Sequence, residues 1–191
     1  MRIVGGTYRG RRLQAPAGDD VRPTSDRVRE SIFNVLTHGL DDWPGEVEGT
    51  SVVDLFCGTG ALGLEALSRG AAHVTLLDRS GPVLAVTRKN AALGIEAGKR
   101  ITLLKMDATQ LAPPPRIAEA PCGVAFLDPP YGQGLISPAL GGLKNRGWLA
   151  PGGLAVVEAG AEEELITPPG FSLLDARTYG AAKVVFLQLR S

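Results

Sequence analysis

From Thr50 onward, short runs of β-branched and aliphatic residues alternate with segments whose apolar positions recur at helical spacing. The runs Ser51–Phe56, His73–Asp78, Ile101–Met106, Gly123–Leu127 and Leu154–Glu158 predict strands. Between them, Ala61–Arg69 and Pro82–Leu93 predict helices, with Gly70 and Gly94 as stops and Ser80 and Pro82 marking the start of the second. Strand–helix alternation of this kind predicts an α/β fold with a doubly wound, mostly parallel sheet. Two last runs, Phe171–Tyr179 and Ala182–Leu189, meet at Gly180 and predict an antiparallel hairpin closing one sheet edge. Ahead of this domain, Ile3-Val4, a Gly5-Gly6 turn and Tyr8–Leu13 predict a short β-rich arm. Arg22-Pro23 is extended, because a residue before proline avoids the helical region. Thr24, Ser25 and Asp26 then offer N-caps for a helix with Val28, Ile32, Val35, Leu36 and Leu40 on one face, ended by Gly39. Pro44-Gly45 reads as a linker. The expected division is an arm over 1–20, a helix and linker over 21–49, and the main domain over 50–191.

Composition narrows the class. The 191 residues are 44% hydrophobic and 21% charged, a globular balance with enough apolar material for a full core. Formal net charge is zero, which excludes a polybasic protein held to nucleic acid by bulk charge alone. No apolar run approaches the roughly 20 residues of a membrane helix, and the N-terminus lacks a signal-peptide core. Two isolated cysteines, Cys57 and Cys122, and two histidines assemble neither a disulfide framework nor a metal site. A cytoplasmic, metal-independent monomer is expected. Zero net charge nevertheless hides an asymmetry. Residues 1–40 carry seven arginines against four acids, so that segment is +3 and the remainder −3. Arginine forks onto phosphates and stacks on bases, and Arg9, Arg11 and Arg12 within four residues point to an anionic partner rather than a merely solvated face. Arg22 and Arg27 join them as candidates. For Arg27 and Arg29, contact with that partner competes with holding the helix against Glu30 or Asp26.

The strongest local signal is Val53-Asp54-Leu55-Phe56-Cys57-Gly58-Thr59-Gly60-Ala61-Leu62-Gly63 followed by a helix. It formally fits the dinucleotide fingerprint, with Asp78 twenty residues beyond Gly58 to accept the ribose hydroxyls. Asp54 argues against a dinucleotide, since a carboxylate at the end of the first strand would repel a pyrophosphate. S-adenosylmethionine brings an ammonium and a sulfonium instead, for which Asp54 is a favourable partner; a capping role for the loop is the alternative. Phe56, Gly58, Thr59 and Gly60 form the rest of this cofactor cradle, and Arg79 follows the ribose acid. Asp107 and Ala108, closing the third strand, would sit by the adenine, although Asp107 serves equally well as a helix cap.

Asp128-Pro129-Pro130-Tyr131-Gly132 at the end of the fourth strand is the second site. Two prolines make a rigid extended turn with outward carbonyls. An exocyclic amino group of a base is a poor nucleophile, because its lone pair is delocalised into the ring. Acceptors aimed at its two N–H bonds, here Asp128 and the Pro129 carbonyl, favour a pyramidal nitrogen and stabilise its developing positive charge. Pro130 stiffens the turn, and Tyr131 can stack on a base that has left its own stack. A simple Pro-Pro turn with a capping aspartate is the bland alternative.

Asp128–Tyr131 resembles motif IV of amino-group methyltransferases, and Asp54–Gly63 resembles their motif I. Arg2–Gly6, Tyr8–Arg11, the run 22–30 (RPTSDRVRE), Phe33-Asn34 and Gly60–Ala71 together resemble the RsmD family, nearly end to end. That resemblance implies a class I S-adenosylmethionine-dependent fold, Rossmann-like, with seven strands and the last antiparallel, plus the small N-terminal extension. It implies methyl transfer to the 2-amino group of one guanine of 16S rRNA, presented in the small ribosomal subunit or a late assembly intermediate. Residues 1–20 then become an RNA-binding arm and 50–191 the methyltransferase domain. Two departures stand out: Asp78 is followed by Arg79-Ser80 without a second acid, and Cys57 stands where alanine is frequent, a packing role. Another amino-group target (DNA adenine or a protein amide) remains open to motif IV. A nicotinamide-dependent oxidoreductase would leave Asp128–Tyr131 unexplained.

Overall fold

The computed structural model describes residues 1–15, 25–40, 42–43, 45–93 and 95–190, with Ile95 and Glu96 as backbone only. Arg22-Pro23, Thr24, Pro44 and Gly94 lie outside the described residues. Helix α1 (Asp26–His38) is capped by Ser25, whose Oγ accepts from Val28 N, and ends at Gly39. Then follow β1 (Ser51–Asp54), α2 (Ala61–Ser68), β2 (His73–Asp78), α3 (Gly81–Asn90), the one-turn α4 (Ile95–Gly98) and β3 (Ile101–Lys105). After β4 (Cys122–Leu127) come α5 (Ile136–Asn145), β5 (Leu149–Gly160), β6 (Phe171–Tyr179) and β7 (Ala182–Leu189). Ser80 caps α3 with Pro82 in its first turn, and Gly70, at φ +99°, turns the chain out of α2 as expected.

One sheet holds all seven strands in the order β3-β2-β1-β4-β5-β7-β6. The first five strands pair in parallel; β7 runs antiparallel to both β5 and β6. Strand order reverses between β1 and β4, and the crevice above their carboxyl ends is where an open α/β sheet receives ligands. Apolar side chains leave both faces. On one, Val52, Val74, Phe126, Val156 and Phe186 pack against α1, α2 and the arm residues Ile3 and Leu13. On the other, Val53, Leu77, Ala125 and Val157 meet Leu111, α5 and Trp148. The structure thus has three layers. Helix α5 is absent from the periodicity reading because Pro138 and the pair Gly141-Gly142 dilute it. Packing explains Gly142: a Cβ there would come within 3.1–3.3 Å of Leu111. β5 is longer than the pattern suggests, since Pro151-Gly152-Gly153 reads as a turn yet lies within it, beside a register shift against β4.

The arm forms a hairpin with one ladder bridge, Arg2 to Arg12. It is stitched to the domain at several points. Gly5 and Gly6 lie on the end of α2, where a Cβ on Gly6 (φ +72°) would fall 1.9 Å from Ser68 O. Thr7 N donates to Ser68 O, Tyr8 N to Ser68 Oγ, and Val4 N to Glu65 Oε2 at 2.7 Å. Glu65 Oε1 accepts from Arg69 Nε at 2.8 Å, while Arg29 Nε faces Oε2 at 3.6 Å. Arg29 also donates to Asp26 Oδ1 and to Arg2 O. Arg29 and Glu65 are fully buried, so Arg29 holds arm, α1 and α2 together and is withdrawn from any RNA. Its partners include Asp26, one of the two acids expected from sequence.

Candidate active site

β1 delivers Asp54 to the crevice, and the chain then turns through Leu55–Gly60 into α2. Gly58 (φ +52°) and Gly60 (φ +82°) take the left-handed conformations this turn needs, and Gly60 N donates to Cys57 O at 2.6 Å. Gly63 serves packing: a Cβ there would lie 2.3 Å from Leu76 Cδ2. α3 fastens the loop from behind, Thr87 Oγ1 donating to Gly58 O and Asn90 Nδ2 to Thr59 O. The same Asn90 pairs with both backbone groups of Gln14 in the arm. Thr59 Oγ1 reaches Met1 Sδ at 3.4 Å.

A cavity of about 390 Å³ opens above this loop. Of the residues singled out in the sequence for the cofactor, Asp54, Phe56, Gly58, Thr59, Asp78, Arg79, Asp107, Ala108 and Asp128 line it, as do Pro129, Pro130 and Tyr131. Gly60 shapes the turn without lining the cavity. Asp54 is 1% exposed; Oδ2 accepts from Gly63 N at 3.0 Å, while the buried Oδ1 has no hydrogen-bond partner among the described residues. Burial pushes its carboxyl up to about 7, with the Asp78 charge adding to the rise and the Gly63 bond opposing it. The capping and ligand-facing readings of Asp54 therefore fall to different oxygens. Asp78 accepts from Gly58 N through Oδ2 and from Ser80 N through Oδ1, one bond per oxygen, leaving acceptor capacity on each. Asp107 caps a single 3-10 turn through Oδ1, bonded to Thr109 Oγ1 and N, which hold its carboxyl below the usual carboxylate range. Burial raises the Cys57 thiol well above its ordinary value, so it is no nucleophile.

Across the cavity, Pro129 is buried while Pro130 and Tyr131 are exposed. The Tyr131 hydroxyl donates to Glu158 Oε1 at 2.7 Å. Among the arginines, Arg9, Arg12 and Arg27 are exposed; Arg11 is exposed and donates to Ala92 O at 2.8 Å; Arg22 lies outside the described residues. Among the described residues no group of three or more His, Cys, Asp or Glu could hold a metal ion, and no helix is long and apolar enough to cross a membrane. Sequence reasoning missed Val83, Thr109 and Leu135 in the cavity wall, and Glu158 behind it, because none belongs to a local motif.

The family model described as Conserved hypothetical protein 95 matches residues 1–188. A ribosomal RNA small subunit methyltransferase D from Escherichia coli is 38% identical over 169 residues, 88% of this chain and 79% of that protein. The chain belongs to the RsmD family. The solved E. coli protein yhhF superposes with TM-score 0.79 at 33% identity, covering 100% of this chain and 98% of its own. Magnesium protoporphyrin IX methyltransferase from Synechocystis, solved with bound S-adenosylmethionine, shares the fold: TM-score 0.60, 16% identity, 86% of this chain and 79% of that one. The fold is that of class I methyltransferases and the activity is methyl transfer. The cavity fits S-adenosylmethionine: a buried carboxylate oxygen lacks a donor on one side, and an acid with spare acceptor capacity stands on the other.

Proposed function

We propose that this enzyme methylates the exocyclic 2-amino group of a guanine in 16S rRNA, presented in the small ribosomal subunit or a late assembly intermediate. The observation that carries this reading is the convergence of Asp54 and Asp128–Tyr131 on one cavity from the ends of neighbouring strands, in a chain similar to small-subunit rRNA methyltransferases.

Asp54 Oδ1 receives the cofactor's ammonium, Asp78 the ribose hydroxyls, and Asp107 with Ala108 the adenine edge. Bound there, S-adenosylmethionine supplies an electrophilic methyl group on a sulfonium. Asp128 and the Pro129 carbonyl accept from the two N–H bonds of the target amino group, which frees its lone pair and offsets the charge that builds on nitrogen. Pro130 keeps that carbonyl in place, and the Tyr131 ring stacks on the extruded base. The methylated nitrogen is strongly acidic, so its proton leaves to water without a dedicated base. Residues 1–20, the arginine-bearing arm, contact the RNA backbone through Arg9, Arg11 and Arg12, with Arg22 and Arg27 beside them, while 50–191 carry the chemistry. An enzyme acting on cytoplasmic ribosomal particles would itself be cytoplasmic, and one chain suffices for the site.

Radiolabelled S-adenosylmethionine offered with unmodified small subunits, free 16S rRNA and duplex DNA tests the proposal. Label on one guanine's 2-amino group, mainly in the subunit, is the expected outcome. Label confined to DNA, or to a protein amide, would move the enzyme to a different amino-group target.

A further inference from the structure

We propose that Glu158 is a positioning residue that fixes the ring of Tyr131 against the target base, an inference resting on the base-stacking role assigned above. Glu158 lies on β5, between β4 and β7, on the same sheet face as Leu154 and Val156, and is 6% exposed. A carboxylate so placed is costly unless strongly hydrogen-bonded. It accepts the Tyr131 hydroxyl at 2.7 Å, while the tyrosine itself remains 38% exposed at the cavity.

Neighbouring contacts serve the same end. A Cβ on Gly160 would lie 3.5 Å from Tyr131 Cδ2, so the ring rests on the backbone at the end of β5. Glu163 Oε2 accepts from both Gly132 N and Gly160 N, at 3.2 and 3.3 Å, fastening the loop after motif IV to that strand. A tyrosine has two side-chain rotors, and holding its hydroxyl while its ring lies on the strand restricts both. The ring then meets the base without first losing conformational freedom, which favours the in-line arrangement.

Four variants test this: Glu158→Leu, Glu158→Gln, Tyr131→Phe and the double Tyr131→Phe/Glu158→Leu. Each is assayed for turnover and KM on small subunits and for cofactor affinity. Glu158→Leu and Tyr131→Phe should each lose roughly 10-fold to 10²-fold in turnover with cofactor affinity unchanged. Glu158→Gln, which keeps an acceptor, should recover most of the loss, and the double variant should be no worse than Tyr131→Phe alone. A double variant losing both factors would mean that Glu158 acts on the base or elsewhere, overturning the tether. A substrate-free readout uses 3-fluorotyrosine at the three tyrosines, assigned by Tyr131→Phe. Glu158→Leu should shift and sharpen the Tyr131 fluorine signal; an unmoved signal overturns the proposal. A moved signal in an enzyme whose wild type leaves subunits unlabelled supports the tether and overturns only the substrate.

Discussion

Asp54, at the end of β1, and Glu65, within α2, are both acids removed from water, and they do opposite things. Glu65 is partnered on both oxygens: Oε1 is bonded to Arg69, and Oε2 takes Val4 N with Arg29 beside it. Asp54 is half satisfied, one oxygen on Gly63 N and the other without a partner among the described residues. A buried carboxylate with both oxygens bonded joins elements of the fold, whereas a buried oxygen without a partner beside a cavity marks where a ligand completes the structure. Arginines divide in the same way. Arg29 is consumed by the interior network, while Arg9 and Arg12 stay exposed on the hairpin that this network anchors.

The sharpest way to break this contrast is Glu65→Ala. It strips the buried Arg29 of one of its two carboxylates, leaving Asp26, and takes the acceptor from Val4 N and Arg69; removing one partner from such a buried charged network costs about 3–5 kcal/mol. Chemical denaturation should show that loss; a change below about 1 kcal/mol would put Glu65 among the weak surface-type pairs. Next, Asp128→Ala should lower turnover by roughly 10²–10³-fold, the scale of removing one group aimed at developing charge. Calorimetry should find cofactor affinity nearly unchanged, and an active variant would remove Asp128 from the mechanism. A smaller effect belongs to Asp54. Its carboxyl, raised to about 7, is partly protonated near neutrality, and an ammonium beside Oδ1 favours the ionised form. Cofactor binding therefore releases protons below that value, and affinity should rise with pH up to about 7 and level off above it. A profile flat from about pH 6 to about pH 8 would leave Asp54 with its capping role alone. Smallest is the effect of Arg12→Ala. KM for the subunit should rise a few-fold and the salt dependence of binding should lose about one unit of slope. Equal loss of cofactor affinity would show instead that Arg12 supports the fold.

Local patterning made the sheet legible. β2, β6 and β7 begin and end where their β-branched runs do, and Ser25, Ser80 and Gly70 punctuate the chain as their chemistry dictates. Motif spacing likewise predicts Asp54, Asp78, Asp107 and Asp128 at strand ends facing one crevice, and all four line the same cavity. What escaped depends on distant partners. Nothing beside Glu65 in sequence announces Val4 or Arg29, and Glu158 reads as the end of an apolar strand until Tyr131 arrives from another loop. α5 escaped because Gly142 answers to Leu111 rather than to helix propensity. The arm looked like an appendage since its two core residues, Ile3 and Leu13, are too few to show a period.

The position of β7 has a consequence for how the enzyme is made. Of the seven strands it is the last to leave the ribosome, yet it lies inside the sheet, between β5 and β6. Until it docks, β5 presents an open edge along the strand that carries Glu158, and β6 has nothing to pair with. A chain cut ahead of Ala182 would therefore be left with a sticky, unfinished sheet, having lost two strands' worth of pairing at once.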